Sequence, residues 1–325
     1  MDEPLKGEEL NSELTGLNKG EKQQKKKLLI IGAILSTLFI IILVTIIIVI
    51  VSGSKDSSDD SQTLQSIGEI NCVYYVENIN RNTILLGNDF QKNSDFDIFI
   101  DGIKIKFAKE YRFDSAGSHN VQIKLYNNID LDYMFKDVQE LISVEMKSDK
   151  NCEILSMIST FENCNNLNDF NINGFDATKI KSMSKLFYKT SLTNFSFNSF
   201  NTDNLEDMSF MFSLTDINEF SLNNFNSKKV TNMSNLFSGC SSLTSIDFSN
   251  IDTSNVEDMS YMFSSNGGIR NLDLSNLKTN KVVNMSYMFH ECITLTELNI
   301  INFDTKNVKD MSHMFDSCFA LIHLN

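Results

Sequence analysis

The sequence predicts an α/β solenoid of about eight units, each a strand plus a short helix, preceded by a small β domain and one transmembrane helix. Three observations predict it. Phenylalanines recur every 25 or 26 residues from residue 129 onward, each unit carries two hydrophobic periods, and an uncharged apolar run lies near the N-terminus. The chain has 325 residues and is 42% hydrophobic, so it exceeds one typical domain and is not disordered throughout.

The N-terminal segments predict attachment to a membrane. Residues 1–27 lack apolar periodicity and are interpreted as a disordered cytoplasmic tail. The uncharged run at 28–51 spans about 36 Å as a helix, enough for a bilayer core of about 30 Å. Four lysines precede it and acidic residues follow, so the positive-inside rule predicts a signal-anchor at the plasma membrane, single-pass and type II, with an extracellular ectodomain. Residues 52–69, rich in serine and aspartate, predict a flexible stalk.

A cleaved signal peptide is the alternative interpretation of the same run. Val51 and Gly53 fit small-residue cleavage positions. The run is longer than the roughly 7–15 apolar residues of a signal peptide, and a 27-residue tail precedes it. These features favour a retained helix.

Residues 70–128 predict a small β domain of about four to six strands. Apolar and polar residues alternate from Asp97 to Phe107 around Asp101-Gly102, a dipeptide typical of tight hairpins. We therefore expect a hairpin at this dipeptide.

Residues 129–325 predict the repeat solenoid. The anchor is Met-Ser-x-Met-Phe, as at Asp258-Met-Ser-Tyr-Met-Phe263. The anchoring phenylalanines are Phe135, Phe161, Phe187, Phe212, Phe237, Phe263, Phe289 and Phe315. A period in the twenties, kept over eight units, is typical of a solenoid.

Each unit divides into two halves with different periods. Apolar residues at Val256, Met259, Met262 and Phe263 fit one face of a short helix. The segment from Leu243 to Phe248 ends in alternation and fits a strand. The two 25-residue units lack one residue between the phenylalanine and the strand, which predicts a deletion in a loop.

Hydroxyl residues lie ten positions before the phenylalanine in five units. They are Thr202, Ser227, Thr253, Thr279 and Thr305. Such a hydroxyl can accept a backbone N–H at a helix start, so these residues are predicted to cap the helices.

The repeats resemble a known family. The stretches Phe303-Asp-Thr-Lys-Asn-Val-Lys-Asp-Met-Ser-His-Met-Phe-Asp-Ser-Cys318 and Asn250-Ile-Asp-Thr-Ser-Asn-Val-Glu-Asp-Met-Ser-Tyr-Met-Phe263 resemble the 26-residue repeats of BspA-like leucine-rich-repeat surface proteins. The resemblance implies a right-handed, leucine-rich-repeat-like coil, cell-surface display and, in some members, adhesion. It carries over no catalytic residues. The chain differs by its N-terminal membrane helix and by ending at Asn325 within a repeat, without a capping unit.

The sequence does not predict an enzyme. Its four histidines lie at unrelated repeat positions, and it has no HExxH, paired CxxC, phosphate-binding glycine loop or GxSxG motif. No catalytic residue and no cofactor are predicted. The net charge of −14 argues against a nucleic-acid partner.

The six cysteines form two groups. Cys164, Cys240, Cys292 and Cys318 each lie three residues after an anchoring phenylalanine. They are interpreted as buried thiols, with a Cys292–Cys318 bridge between adjacent coils as the alternative. Cys72 and Cys152 lie outside this column and are the disulfide candidates, since the predicted exterior is oxidising.

Two sets of surface residues are further candidates. Asn194, Asn232 and Asn284 occupy N-x-Ser sequons, which a eukaryotic secretory route would glycosylate. Asp247 and Asp273 take the same outward strand position in adjacent units and are candidates for binding a cation. The alternative for this outward face is a solvated polar surface, with no metal site.

The predicted function is adhesion or recognition of another macromolecule by a surface-anchored solenoid. The expected partner is an extracellular protein or glycan, in addition to the membrane that the chain crosses once. The alternatives are a structural coat or spacer without a specific ligand, and a receptor with a short tail.

Overall fold

A computed structural model describes residues 65–149, 152–198, 200–221 and 225–325. The predicted tail, the transmembrane helix at 28–51 and most of the stalk lie outside these residues. Among the residues described, no helix is long and apolar enough to cross a membrane. Residues 64–325 form one compact unit.

The described residues contain strands and turns. The strands are β1 (Gly68–Val76), β2 (Thr83–Ile84), β3 (Phe96–Ile100), β4 (Ile103–Ile105), β5 (Glu110–Tyr111), β6 (Gly117–Leu125), β7 (Ile129–Asp130), β8 (Leu141–Lys147), β9 (Ile154–Ser156), β10 (Asp169–Asn173), β11 (Asn194–Asn198), β12 (Glu219–Ser221), β13 (Ser245–Asp247), β14 (Asn271–Asp273), β15 (Glu297–Asn299) and β16 (His323–Leu324). From β8 onward, successive strands of the repeats lie parallel where they pair.

The strands before the repeats and the first repeats share one sheet. Its seven strands lie in the order β11-β10-β8-β1-β6-β3-β4. Strand β1 pairs antiparallel with β6 on one side and with β8 on the other. Because β8 opens the parallel stack, β1 covers an edge that would otherwise expose unpaired backbone groups.

The predicted hairpin is confirmed. Strands β3 and β4 pair around Asp101-Gly102, where both residues have positive φ (48° and 83°). Two consecutive positive φ values are typical of a type I′ turn, which aspartate followed by glycine adopts readily.

The prediction of a short helix in each repeat is wrong. The predicted fold class, an α/β leucine-rich-repeat-like solenoid, is therefore wrong as well. No helix occurs among the described residues; the Met-Ser-x-Met-Phe segments are turns, so the chain is a β-solenoid. The residues two positions before and two positions after every anchoring phenylalanine have positive φ, between 52° and 73°. A right-handed helix requires negative φ throughout, so a left-handed residue every fourth position prevents one.

The hydrogen bonds explain this backbone conformation. In the coil around Phe263, the N–H groups of Met262 and Ser264 donate to carbonyls three residues back, closing tight turns. The intervening N–H groups of Tyr261, Phe263 and Ser265 donate to the next coil, at 2.7–3.0 Å. Alternate backbone donors thus close the turns and join the coils, so all five N–H groups from Tyr261 to Ser265 are paired.

The predicted core is confirmed even where its secondary structure differs. Val256, Met259, Met262 and Phe263 are each at most 1% exposed. The eight anchoring phenylalanines stack along the solenoid with neighbouring ring centroids 5.4–6.1 Å apart and interplanar angles of 4–27°. Each ring is buried only because its neighbour is present, as in other repeat proteins.

The hydroxyl column joins coils rather than capping helices. Thr253 Oγ1 donates to the carbonyl of Lys278 (3.0 Å) and accepts the N–H of the same residue (2.8 Å). Thr202, Ser227 and Thr279 make the same pair of bonds to the next coil. The predicted acceptor role is right, but the donor belongs to the adjacent repeat.

Asparagine and aspartate residues fix the turns between these columns. Asp258 and Asn284 each accept, through Oδ1, the N–H of the residue two positions later, at 2.8–3.0 Å. Asp252 makes the same contact with Ser254. These are Asx turns, which hold the backbone locally without a helix.

The loop that tolerates length change can be tested by insertion. A serine inserted after Asp216, in a 25-residue coil, should leave the thermal midpoint nearly unchanged because it only restores the common length. The same insertion after Ser264 displaces the Ser265 N–H from the carbonyl of His290 (2.7 Å) and should cost roughly 2 kcal/mol or more. Circular dichroism melting of both variants compares them; equal losses would contradict this placement of the loop.

The buried hydroxyl that bonds to the next coil, called a rung below, can be tested at Thr253, which is 1% exposed. Thr253→Val removes the hydroxyl and leaves the N–H and the carbonyl of Lys278 unpaired, so we expect a loss of about 2–4 kcal/mol. Thr253→Ser keeps the hydroxyl and is the matched control, with a loss below about 1 kcal/mol expected. Denaturant unfolding measures both, and a valine variant as stable as the parent would exclude the rung.

Candidate functional site

The outward side chains of the repeat strands form the candidate binding surface. Strand alternation buries Phe170 and Ile172 and points Asp169 and Asn171 to the opposite face. The same alternation places Asn194 and Ser196 beside them on β11, because Asp169 pairs with Asn194 and Asn171 with Ser196. Polar residues of successive coils therefore lie side by side in register.

Asp247 and Asp273 lie on strands that do not pair with each other. Asp247 ends β13, which pairs with β12, whereas Asp273 ends β14, which pairs with β15. They line different depressions of about 470 and 550 Å³. Within the described residues, no group of three histidine, cysteine or acidic side chains could hold a metal ion.

Both aspartates instead close Asx turns at the strand ends. Asp247 Oδ1 accepts the N–H of Ser249 at 2.8 Å, and Asp273 Oδ1 accepts that of Ser275 at 2.9 Å. The hydroxyl groups of Ser249 and Ser275, together with these N–H bonds, favour the charged form and hold the pKa of both carboxyl groups below its ordinary value. Asn299 adds a further bond to Asp273.

The cysteine column supplies hydrogen-bond donors to the core. Each thiol donates to the carbonyl of the phenylalanine in the preceding coil; the Cys164 and Cys240 bonds, to Phe135 and Phe212, are both 2.9 Å. Cys292 and Cys318 make the same contact. In the coil that has asparagine instead of cysteine at this position, Asn266 Nδ2 donates to the carbonyls of Phe237 and Phe263. Burial raises the pKa of Cys240 to about 11, so the group stays a neutral thiol.

All six cysteines are free thiols in the structure. The candidate pair Cys72 and Cys152 is not brought together. A Cβ built on Gly68 would lie 3.4 Å from the Cβ of Cys152, whereas Cys72 lies four residues further along β1. Four strand residues span about 13 Å, beyond the Cα separation of about 7 Å that a disulfide tolerates.

The three sequon asparagines differ in their contacts. Asn194 is exposed on β11, and its side chain donates to the neighbouring Thr193 hydroxyl at 3.4 Å. Asn232 and Asn284 are half-buried, and each accepts the N–H of the serine two residues later. Asn194 is thus the most accessible of the three candidates.

A histidine–aspartate pair joins β6 to the turn of the β3–β4 hairpin, at one end of the seven-stranded sheet. His119 is 8% exposed; its Nδ1 contacts Asp101 Oδ2 at 2.7 Å and its Nε2 contacts the carbonyl of Ser115 at 2.9 Å. Both partners are acceptors, so this geometry favours the cationic imidazole, in which both ring nitrogens donate. Burial alone lowers the pKa of His119, but the bonds to Asp101 and Ser115 outweigh it and the net shift is upward.

One surface was not predicted from the sequence. A row of outward side chains crosses the seven-stranded sheet from Ser196 through Asn171, Glu145, Asn71 and Gln122 to Phe99, each the direct neighbour of the next. Alternation within each strand indicates that these residues face outward. The most distant of these pairs, Asn71 with Glu145, joins residues 145 − 71 = 74 positions apart in sequence, and no local signal predicts it.

Comparison with known proteins gives one family match. A family model described as "Mycoplasma protein of unknown function, DUF285" matches residues 107–225, 155–270 and 245–323, together about two thirds of the chain. No curated protein and no solved structure matches the chain. The three overlapping matches lie largely on the repeats.

The His119–Asp101 pair predicts a stability that depends on pH. Because the folded pKa of His119 is raised above its ordinary value of about 6.5, its contribution is full below that pH and is lost as the pH rises through the folded value. The pKa of Asp101 is lowered: burial opposes this, but the bonds from His119 and Asn120 exceed it. The Asp101 contribution is therefore lost only as the pH falls through its own folded value.

We expect the thermal midpoint to decrease from pH 6 toward pH 8.5, and His119→Asn to remove that decrease. His323→Asn, at an exposed position of β16, is the matched control and should keep it. NMR titration of the His119 ring provides the direct measurement. A ring that titrates at or below pH 6.5 would exclude the cationic pair.

Proposed function

The chain belongs to the family described as Mycoplasma protein of unknown function, DUF285, and we propose that it is a membrane-anchored surface protein that recognises an extracellular macromolecule through its solenoid. The observation that carries the proposal is the register of outward polar side chains on adjacent strands, as at Asp169 beside Asn194 and Asn171 beside Ser196. A rigid stack that holds many such groups at fixed spacing suits binding to an extended partner.

Two features of the sequence support the extracellular setting. The uncharged run at 28–51 with lysines before it fits a type II signal-anchor. The Met-Ser-x-Met-Phe repeats resemble those of BspA-like surface proteins, some of which are adhesins. Under this proposal residues 1–27 lie in the cytoplasm and the solenoid lies outside.

Topology is tested with the full chain tagged at both ends and expressed in cells. Protease added to intact cells should remove the C-terminal tag and leave the N-terminal tag protected, because the anchor shields residues 1–27. Permeabilised cells are the control, in which both tags should be lost. Release of the solenoid into the medium by a cut near Gly53 would contradict the anchor and support a cleaved signal peptide.

Recognition is tested by adhesion of the same cells to other cells and to immobilised matrix proteins. Cells displaying the full chain should adhere more strongly than cells displaying Met259→Asp, which places an unpaired charge at a fully buried position and should unfold the stack. Display is measured by the C-terminal tag so that equal amounts are compared. Equal adhesion of the two at equal display would contradict recognition and favour a coat or spacer.

A further inference from the structure

We infer that the open face of the seven-stranded sheet is a binding site for a neutral oligosaccharide. The inference rests on the proposed function, since it names the chemistry and the place of the extracellular partner. The site lies where strands β1 and β6, which precede the repeats, share a sheet with the first repeat strands β8 and β10.

The site is a depression of about 550 Å³ over the centre of the sheet. This volume falls within the roughly 300–1,000 Å³ of small-molecule sites. Its floor consists of two neighbouring rows of outward side chains. One row holds Asn171, Glu145, Asn71, Gln122 and Phe99, and the other holds Asp169, Ser143, Val73 and Asn120.

The lining consists mainly of groups that both donate and accept hydrogen bonds. Four of its side chains are carboxamides: Asn71, Asn120, Asn171 and Gln122. A carboxamide offers two donors and one acceptor oxygen in a plane, and a sugar hydroxyl offers one donor and two acceptor lone pairs. Neighbouring hydroxyls on a sugar ring therefore match neighbouring carboxamides on adjacent strands, which lie about 4.8 Å apart.

Part of this set is already held in place by the protein. Gln122 Nε2 donates to Glu69 Oε2 at 3.2 Å and to Asn71 Oδ1 at 3.1 Å. These bonds fix the orientation of Gln122 and Asn71 at the centre of the depression. A ligand would meet an arrangement that loses little further freedom on binding.

The Oδ1 atom of Asn171 is an unsatisfied acceptor. It is buried and accepts no hydrogen bond within the described residues. Buried polar atoms in folded proteins are almost always paired, so such an atom at a binding surface indicates that a donor from outside is missing. Asn171 lines the depression, so a small rotation of its carboxamide toward a ligand hydroxyl would pair this atom.

The charges of the lining favour a neutral ligand. Its carboxylates are Glu145 and Asp169, and it contains no lysine or arginine. Glu145 is paired with Lys147 at 2.6 Å, so one carboxylate is left without a cationic partner among the contacts of the described residues. Two lysines lie at the edge of the depression, but Lys147 is paired with Glu145 and Lys124 lies over the Phe99 ring. The lining itself therefore offers an anionic sugar no cation and a strongly basic peptide one unpaired carboxylate, Asp169.

Phe99 and Val73 add an apolar patch to the polar floor. Phe99 is half-buried on the outward side of β3, with Lys124 Nζ over its ring at 5.1 Å. Val73 is also half-buried and faces the same depression. The C–H face of a sugar ring can pack against such a patch while its hydroxyls contact the carboxamides.

The test measures binding of the detergent-solubilised full chain to a printed panel of neutral oligosaccharides of two to four hexose or N-acetylhexosamine units. Sialylated oligosaccharides and a nona-arginine peptide represent the competing classes. We expect at least one neutral oligosaccharide to bind, with an affinity unchanged between 0.1 and 0.5 M salt because no ion pair is formed. Asn171→Ala should weaken that binding about tenfold.

Two variants separate the site from general effects on the fold. Asn299→Ala removes the corresponding outward carboxamide of β15, outside the depression, and should leave binding unchanged. Glu145→Gln keeps the hydrogen-bonding capacity but removes a charge, and should keep neutral binding within about twofold. Preferred binding of the nona-arginine peptide that salt and Asp169→Asn abolish would overturn the inference, because Asp169 is the lining carboxylate without a cationic partner among the described residues.

The outcomes for the site and for the proposed function are distinguishable. Cell adhesion that is unaffected by Asn171→Ala and by the bound oligosaccharide would overturn the site and leave recognition standing. Binding of a neutral oligosaccharide that Asn171→Ala weakens, without any cell adhesion, would establish the site and overturn adhesion. Absence of binding to the whole neutral panel would overturn the inference directly.

Discussion

The phenylalanine stack is the contact on which the rest of the solenoid depends. Eight rings lie on one another at 5.4–6.1 Å, and each ring from Phe161 to Phe289 is shielded from water by the coil before it and the coil after it. A ring in the wrong position would break two such contacts, so the chain must return to the same point once per turn. This constraint explains the nearly constant interval of 25 or 26 residues, and why the one-residue variation falls in the loop before the strand.

A fixed return point also fixes the backbone between the rings. The turns around each phenylalanine must direct alternate N–H groups to the next coil, and left-handed residues such as Tyr261 and Ser265 achieve this. Each non-glycine left-handed residue costs about 1–2 kcal/mol relative to right-handed backbone. The inter-coil bonds and the buried rungs at Thr253 and Cys240 offset that cost, because each satisfies backbone groups that would otherwise be buried unpaired.

The sequence was sufficient for the period, the buried positions, the repeat strands and the Asp101-Gly102 hairpin. It was not sufficient for the turns, because burial at Val256, Met259, Met262 and Phe263 fits consecutive tight turns as well as one helix face. The 39 asparagines did contain a signal, since asparagine or aspartate two residues before a serine forms an Asx turn here. The surface over Asn71 and Asn171 depends on the pairing of β1 with β8, which residues far apart in sequence create.

The seven-stranded sheet, where the antiparallel strands before the repeats meet the first parallel repeat strands, carries more varied outward side chains than the rest of the solenoid. Along the coils, the outward positions are limited to small polar and acidic residues, several of which, such as Asp247 and Asp273, are committed to local turns. At the junction, antiparallel strands outside the repeat place Asn71, Gln122 and Phe99 beside Glu145 and Asn171. Asn71, Gln122 and Phe99 lie outside the repeats, so the repeat pattern does not restrict which side chains occupy these positions, and they can be suited to a ligand. Selectivity is therefore expected at this end of the described chain, while the coils provide length and rigidity.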